Sequence, residues 1–525
     1  MISTGRNAAL AGRPEGLEQL RSLLDTALGA LGDAALKRNG PVAPGGPEAA
    51  VAAVREVLGG GRFLADEPSA QRVRALFEAY AMWAVDLTHP SAVARMQCAP
   101  TAASAAAELL AAALNQSLHA WESGPFALEL ERRLVQEMAS WIGFDAQAGG
   151  TLTPGGSISN LMGLLFSRDR ALKDTGEVSA TGLAGRPVRP RILCSEAAHF
   201  SVARAAGFLG LGRSAVVKVP VDDRGRMLAA EARRIVEGFD ADEVPVAVVA
   251  TAGTTDHGSF DPLPELADLA AEYGIWLHVD AAYGIGALFS PRLAPLLTGL
   301  DRADSVAFDL HKFGWTPASS SVIVVRDREH MECLDEQAVY LNPSDDETFG
   351  FTSLLGTSLQ TTRRSDAFKM AATLLTVGRE GMGDWVDTCH ELARYAASRI
   401  AATDGLELVA DPLLTTVIFR CAAEDGTPTA DESAFNAALR RKLMADGRAL
   451  LARTKIAGPD GTPRVHLKLV FLNPTTTEAD IDALLTDVTA TARELARQRD
   501  RYAVPAPPQV GGGEVGCPSG LRERS

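Results

Sequence analysis

Apolar residues recur at helical spacing in the first part of the chain. The segment LEQLRSLLDTALGALGDAALKR, within the first 40 residues, places Leu and Ala at positions i, i+3 and i+4 and predicts a helix. A Gly- and Pro-rich stretch from Gly40 to Pro47 ends this pattern. From Thr101 to Trp141 the same spacing returns and predicts two long helices, which separate near Ser123-Gly124-Pro125.

From about residue 190 the pattern changes to short apolar runs, most of them separated by helical stretches such as Leu263–Tyr273. The six runs are Arg191–Cys194, Ala215–Val219, Val244–Ala250, Ile275–Val279, Ser305–Phe308 and Val322–Val325. Short buried strands that alternate with helices are typical of an α/β fold, with a mostly parallel sheet and helices on both faces. Because ligands of such sheets bind at the carboxyl ends of the strands, the residues that follow these runs are candidates for a site.

The last third of the chain predicts a smaller α/β domain. A long helix runs past Lys369 to about Gly381, and a further helix is followed by a strand near Thr415–Phe419, a helix from Glu432 to Asp446 and a strand near Val465–Phe471. We therefore expect a helical N-terminal segment (1–100), a large α/β domain (101–370), a small C-terminal α/β domain (371–504) and a disordered, Pro/Gly-rich tail (505–525).

Composition limits the possible functions. The 525 residues are 46% apolar and 22% charged, which is typical of a folded protein of two or three domains. The net charge of -15 disfavours a nucleic-acid partner, and no apolar run is long enough to span a membrane. The first 16 residues lack a signal-peptide pattern, and the six cysteines lack metal-ligand spacing. These features predict a cytoplasmic protein without a metal site.

Two polar residues follow predicted strands and suggest a cofactor. Lys312 comes directly after a strand and His311, where its amine can reach an aldehyde at the edge of the sheet. Asp280 ends the strand LHVD, where a buried carboxylate can keep a pyridinium nitrogen protonated. A single lysine is usually a surface residue and a single aspartate usually a helix cap, so the hypothesis rests on their combination.

Two further segments fit the same cofactor. The sequence TPGGSISN precedes an apolar helical run, and its glycines let backbone N–H groups approach a phosphate at a helix N-terminus. His199 follows another strand and is placed to stack on an aromatic ring. Each segment is common loop material when it occurs alone.

Six motifs in one order give the combination its meaning: TPGGSISN, SEAAHFS, ATAGTTDHGSFDP, LHVDAAYG, DLHKFG and QTTRRSDAFK. Together they resemble the group II pyridoxal 5'-phosphate (PLP)-dependent amino-acid decarboxylases, the family of glutamate and aromatic-amino-acid decarboxylases. The resemblance extends from about His89 to about Pro474. It implies the PLP-dependent transferase fold (fold type I), with a mostly parallel, seven-stranded type of sheet in the large domain. It also implies PLP as cofactor and a homodimer with active sites at the interface, in which the N-terminal segment takes part.

The resemblance also implies roles for individual residues. Lys312 matches the Schiff-base lysine, Asp280 the partner of the pyridinium nitrogen, His199 the stacking histidine and Ala282 the small residue under the ring. Tyr340 resembles a tyrosine on a mobile loop that returns a proton to the substrate. Gly155, Gly156 and Ser157 match the phosphate loop, with Asp309 and His311 nearby. Thr255 matches a threonine beside the ring's hydroxyl, and Thr362 matches a threonine that contacts the phosphate in the neighbouring subunit.

The substrate remains open at this stage. Lys468 stands where many relatives place an arginine that grips the substrate's α-carboxylate, and Arg95 lies in the segment that reads the side chain. Phe313 also departs from the Trp or Met of many relatives. The stretches ALNQSLHAWES and YLNPSDD favour an aliphatic or diamino acid of the 2,4-diaminobutyrate or valine type, while TPGGSISN and ATAGTT also suit an acidic amino acid. An aldehyde-forming or transaminating variant and a non-catalytic PLP-binding regulator are the alternatives.

Overall fold

The computed structural model describes residues 9–58, 69–335, 338, 340–422, 430–458 and 461–497. The α-helices are α1 (Pro14–Arg38), α2 (Gly46–Leu58), α3 (Ala70–Trp83), α4 (Ala102–Leu114), α5 (Pro125–Ile142), α6 (Gly156–Leu172), α7 (Val178–Thr181), α8 (Ser201–Phe208), α9 (Ala229–Glu237), α10 (Leu263–Tyr273), α11 (Ser344–Thr348), α12 (Asp366–Ala401), α13 (Ala430–Ala445) and α14 (Glu478–Arg497). The β-strands are β1 (Ala92–Val93), β2 (Gly149–Thr153), β3 (Arg189–Ser195), β4 (Val216–Val219), β5 (Glu243–Thr251), β6 (Trp276–Asp280), β7 (Ser305–Asp309), β8 (Ser321–Val325), β9 (Leu406–Leu408), β10 (Thr416–Cys421), β11 (Leu450–Ala457) and β12 (Pro463–Val470).

A seven-stranded sheet forms the centre of the large α/β part. Its strand order is β2-β8-β7-β6-β5-β3-β4. The strands from β7 to β4 are parallel, and β8 is antiparallel to both of its neighbours. The six predicted apolar runs are strands of this sheet, as expected for an α/β fold. The seventh strand, β2, was not predicted.

The strands of this sheet bury both of their faces. Along β5, Ala247 and Val249 belong to the core beneath α6 and α8, whereas Val248 and Ala250 belong to the core that contains α5 and α10. Because strand side chains alternate between faces, this division places helices on both sides of the sheet, as predicted. On β6, Asp280 shares its face with every second residue before it.

A second sheet organises the C-terminal part. Its five strands have the order β1-β11-β12-β10-β9. The short β1 precedes the large sheet in sequence, yet it pairs in parallel with β11 and so fixes the segment just before Arg95 to the C-terminal part. Helices α13 and α14 and the second half of α12 cover this sheet through a separate apolar core.

Helix α12 joins the two parts of the molecule and contains a break close to the predicted helix boundary. The sequence predicted a helix that ends near Gly381 and a further helix after it, and α12 consists of two helical stretches that meet at Gly378 and together extend to Ala401. Gly378 lies inside it with a φ of 70°, a left-handed conformation that glycine adopts without strain. The break therefore spans one residue, and the helix resumes directly.

The N-terminal helices pack on one another through small side chains. Ala30 and Ala34 of α1 meet Ala81 of α3, and the buried Arg38 donates to the carbonyl oxygens of Ala81 (2.8 Å) and Ala84 (2.7 Å). Within the described residues, no helix combines the length and the apolar character that a membrane span requires. The tail predicted from residue 505 lies outside the described residues.

Candidate active site

The carboxyl end of β7 presents a lysine beside a buried carboxylate. Asp309 ends the strand and is 2% exposed, and its Oδ1 accepts a 2.5 Å hydrogen bond from the hydroxyl of Ser321 on β8. In the turn that follows, the Lys312 Nζ lies 2.9 Å from Asp309 Oδ2. The lysine side chain retains 22% exposure, so its amine is accessible at the edge of the sheet.

The neighbouring strand β6 ends in a second buried carboxylate. Asp280 is 6% exposed; its Oδ2 accepts a 2.7 Å hydrogen bond from Asn160 Nδ2, and its Oδ1 accepts one from the Ala282 N–H at 3.1 Å. Two donors thus fix both oxygens of the carboxylate. Asp280 ends β6, and Lys312 follows the end of β7, the parallel neighbour of β6.

His199 contributes an imidazole to the same cluster. Its Nδ1 accepts a hydrogen bond from the Ser201 backbone N–H at 3.3 Å and lies 2.8 Å from the Ser201 hydroxyl. Burial lowers the pKa of His199 below its usual value; Asp280 opposes this shift and Lys312 reinforces it. The charges of both groups therefore act on the ring, and His199 is neutral at neutral pH.

A glycine allows helix α6 to approach these groups. A Cβ added to Gly156 would lie 3.2 Å from each carboxylate oxygen of Asp309 and 3.4 Å from the Ala282 Cβ. A side chain there would crowd the buried carboxylate, so glycine at position 156 lets the first turn of the helix approach the site without displacing Asp309. Gly155 precedes the helix, and Ser157, the second residue of the helix, is exposed. The N–H groups of a first helical turn lack partners in the helix and favour an anion.

His311 lies between Asp309 and the strand that follows. Its Nδ1 accepts a hydrogen bond from the Ser320 N–H at 3.3 Å, and its Nε2 is 3.6 Å from Asp309 Oδ2. Burial lowers the pKa of His311, and the Asp309 charge opposes that effect. The ring is therefore a neutral group at the side of the Lys312 cluster.

Lys468, Thr255 and Arg95 form a second group, where the C-terminal sheet meets the loop after β5. Lys468 is 5% exposed, and its Nζ donates to the Thr255 carbonyl oxygen at 2.6 Å and lies 3.5 Å from Asp256 Oδ1. Burial lowers the pKa of Lys468, and the charge of the exposed Arg95 adds to this effect. The Thr255 side chain is exposed, whereas the preceding Thr254 is buried.

Tyr340 and Thr362 lie apart from the enclosed cluster, which consists of Lys312, Asp309, Asp280, His199, Ala282 and Gly156. Tyr340 is 82% exposed in the single chain, and the Thr362 side chain is also exposed. Thr362 directly precedes Arg363, which is buried and forms a 2.7 Å ion pair with Glu131 of α5. The pair fixes the backbone beside Thr362, while the two predicted side chains face outward.

Asn160 was not assigned a role from the sequence, although it ends the motif TPGGSISN. It follows Gly156 by four residues, which is about one helical turn and places both on one face of α6. His278 was also missed; it precedes Asp280 by two residues and therefore lies on the same face of β6. The four-residue spacing from Gly156 to Asn160 and the two-residue spacing from His278 to Asp280 are the sequence features that could have pointed to these residues.

The groups of the enclosed cluster fit PLP. The site offers an amine for the aldehyde (Lys312), a fixed carboxylate for the ring nitrogen (Asp280), a neutral imidazole for the ring face (His199) and a helix N-terminus at Gly156 for the phosphate. Ala282, 9% exposed, adds a small apolar side chain between them.

Comparison with known proteins gives a consistent result. The sequence model described as "Pyridoxal-dependent decarboxylase conserved domain" matches residues 67–422. The L-2,4-diaminobutyrate decarboxylase of Rhizobium meliloti (strain 1021) is 38% identical over 79% of this chain and 80% of that protein. The protein of the same name from Acinetobacter baumannii is 32% identical over 81% of this chain and 84% of that protein.

More distant relatives include an enzyme named for acidic substrates. The acidic amino acid decarboxylase GADL1 of Mus musculus is 31% identical over 79% of this chain and 75% of that protein. Among solved structures, the glutamate decarboxylase domain of the diaminobutyrate-pyruvate transaminase and L-2,4-diaminobutyrate decarboxylase from Vibrio parahaemolyticus superimposes with a TM-score of 0.80 at 29% identity. That superposition covers 94% of this chain and 98% of the other.

Proposed function

Because this chain belongs to the pyridoxal-dependent decarboxylase family, we propose that it removes the α-carboxylate of L-2,4-diaminobutyrate. The chain is a PLP-dependent amino-acid decarboxylase. The observation that carries the choice of substrate is that the two relatives at 38% and 32% identity are both named L-2,4-diaminobutyrate decarboxylases. The products of this reaction are carbon dioxide and a diamine, 1,3-diaminopropane.

We assign the cofactor roles to the enclosed cluster. Lys312 holds PLP covalently through its amine, Asp280 keeps a proton on the ring nitrogen, and His199 covers one face of the ring. The N–H groups of Gly156 and Ser157 bind the phosphate. When bound, PLP supplies the electron sink that accepts the bonding electrons of the departing carboxylate. The 2.9 Å separation of Lys312 Nζ from Asp309 supports this assignment, because the carboxylate orients the amine before the cofactor binds.

We assign substrate handling to the second group and to the loop tyrosine. The Lys468 ammonium has three N–H donors, and the Thr255 carbonyl oxygen uses one of them. A long contact with Asp256 (3.5 Å) engages the ammonium on another side, and a third N–H is available for the substrate's α-carboxylate. The Tyr340 phenol then delivers to Cα the proton that replaces carbon dioxide. Closure of its loop would exclude water from the reacting carbon.

We further propose that the enzyme is a cytoplasmic homodimer. Large apolar side chains of the N-terminal helices are exposed in the single chain, among them Leu28 (65%), Leu36 (87%) and Tyr80 (78%). A second subunit would bury such a surface. The exposed positions of Tyr340 and Thr362 agree with residues that act at a neighbouring subunit's site.

An acidic amino acid is the second candidate substrate. Arg95 is exposed, and its charge acts on Lys468, so an acidic side chain would find a cation beside the proposed carboxylate site. The 31% identity to the acidic amino acid decarboxylase GADL1 supports the same alternative.

The experiment is a substrate comparison with the purified holoenzyme. L-2,4-diaminobutyrate, L-aspartate, L-glutamate and L-valine are each supplied, and carbon dioxide and amine products are quantified. We expect 1,3-diaminopropane to form with the highest kcat/KM of the set. A preference for aspartate or glutamate would establish the second candidate instead, and an absence of carbon dioxide from every amino acid would contradict the proposed reaction.

A further inference from the structure

A continuous row of buried hydrogen bonds leads to Asp280 from inside the sheet. Trp276 Nε1 donates to the Ser305 hydroxyl at 2.9 Å, and that oxygen lies 2.7 Å from His278 Nδ1. His278 Nε2 lies 3.0 Å from Asn160 Oδ1. The amide nitrogen of Asn160 then donates to Asp280 at 2.7 Å. Trp276, Ser305 and His278 are fully buried, so water does not compete for these contacts.

The direction of each bond follows from the fixed groups at the ends. A carboxylate only accepts and an indole N–H only donates, so Asn160 must present its NH₂ to Asp280 and its oxygen to His278. His278 therefore carries its proton on Nε2 and accepts the Ser305 O–H at Nδ1. Burial lowers the pKa of His278 to about 4, which keeps the ring neutral. In this arrangement every polar atom of the row has a partner of the correct kind.

The second N–H of Asn160 extends the row to His199. Asn160 Nδ2 also donates to the Ser201 hydroxyl at 2.9 Å, and Ser201 contacts His199 Nδ1 at 2.8 Å. Because Ser201 Oγ already accepts from Asn160, its O–H is free to donate to Nδ1. The Ser201 backbone N–H points at the same atom. His199 then keeps its single proton on Nε2.

We propose that Asn160 is a positioning residue of the cofactor site, which holds the Asp280 carboxylate and, through Ser201, fixes the proton of His199 on Nε2. One amide thus orients two groups in different parts of the fold, Asp280 at the end of β6 and His199 in the loop before α8. The inference rests on the roles proposed above for Asp280 and His199. Asn160 itself is 1% exposed, and it acts on the cofactor site only through Asp280 and Ser201.

The first test compares two buried asparagines. Asn436 is also fully buried and makes three hydrogen bonds, to the Cys421 N–H, the Cys421 carbonyl and the Glu432 carbonyl, in the C-terminal part. We expect Asn160→Ala to raise the dissociation constant of PLP about 10- to 100-fold, as for the loss of a hydrogen bond to a charged group. Asn436→Ala should leave it within about threefold of wild type by the same comparison. Equal effects of the two substitutions would overturn the proposal.

The second test keeps the shape of the side chain and changes its charge. The titratable groups that face position 160 are His278 and Asp280, with His199 one residue further along the row. A protonated carboxyl in Asn160→Asp can still donate to Asp280, whereas its ionised form repels it, and the nearby carboxylate raises its pKa. We expect PLP affinity and the visible spectrum of the Asn160→Asp holoenzyme to approach wild type near pH 5.5 and to diverge from it as the pH rises to 8.5.

The outcomes separate this inference from the proposed function. An Asn160→Asp holoenzyme that matches wild type at every pH would refute the positioning role, because packing alone would then explain the residue. If Lys312→Ala retains the visible absorption band of the wild-type holoenzyme, the proposed cofactor roles themselves are refuted.

Discussion

The substitution Lys468→Met tests how the enzyme holds its substrate. Met has a similar length and keeps the apolar contacts of the stem, but it lacks the ammonium that donates to Thr255 at 2.6 Å. A hydrogen bond to a charged group contributes about 1.5–3 kcal/mol, which corresponds to a factor of roughly 10 to 150 in binding. We therefore expect KM for L-2,4-diaminobutyrate to rise by about that factor, while kcat changes less.

The assay is steady-state carbon dioxide release, with Lys455→Met as the matched control. Lys455 lies on the adjacent strand β11 and is exposed, so the same substitution there should leave KM unchanged. An unchanged KM in Lys468→Met, together with a lower thermal midpoint, would show that Lys468 only fastens the C-terminal sheet to the loop at Thr255. That result would refute the proposed substrate contact.

The pH dependence of KM gives an independent check on the same contact. Burial lowers the pKa of Lys468, so the ammonium loses its proton at a lower pH than an exposed lysine does. KM should therefore rise on the alkaline side before an ordinary lysine titrates. Lys468→Arg, which stays charged, should remove this rise. The same alkaline rise in both proteins would assign it to another group.

Three further changes test other parts of the site. Glu131→Gln breaks the buried ion pair with Arg363 and should lower the free energy of unfolding of the holoenzyme in urea by about 3 kcal/mol. Glu129→Gln, in an exposed ion pair on the same helix, should lower it by less than about 1 kcal/mol. Equal effects of the two substitutions would show that burial does not strengthen the Glu131–Arg363 pair. Tyr340→Phe should lower kcat about 100-fold with little change in KM, as expected for loss of a proton donor, and an unchanged kcat would assign the proton to another residue. The pKa of His278 is about 4 when folded and 6.5 when unfolded, so between those values the unfolded chain binds the extra proton and acidification destabilises the protein. Over this pH range, the free energy of unfolding of His278→Gln should fall by about 3 kcal/mol less than that of the wild type. The same pH dependence of unfolding in both proteins would show that the folded protein does not lower the pKa of His278.

The sequence predicted the strands of the large sheet well where they are continuous apolar runs. Strand β2 has the sequence GGTLT, in which two glycines and one large apolar residue give no strand signal. Strand β11, LLARTKIA, was missed because charged residues interrupt it, and β1 and β9 are only two and three residues long. The two helices predicted on either side of about Gly381 form one element, α12, because Gly378, with its positive φ, interrupts the helical conformation at one position only.

The candidate site shows a similar division. Lys312, Asp280 and His199 were predicted because each lies within a few residues of the end of an apolar run and within a motif of the family, and a parallel sheet brings such positions together. Asn160 and Ser201 were not predicted, because their role depends on contacts between residues that are distant in sequence. Asn160 and Asp280 are 120 positions apart, and Asn160 and Ser201 are 41 positions apart. Sequence spacing does not determine which of several polar side chains on one helix turns towards a given strand.

The attachment site of PLP is the most direct test of the central claim. The holoenzyme is reduced with borohydride, which fixes PLP to the lysine that holds it, then digested and analysed by mass spectrometry. We predict a single modified peptide that carries the cofactor on Lys312, and a Lys312→Ala protein with neither modification nor amine production. Stable modification of another lysine, or decarboxylation that survives Lys312→Ala, would contradict the account.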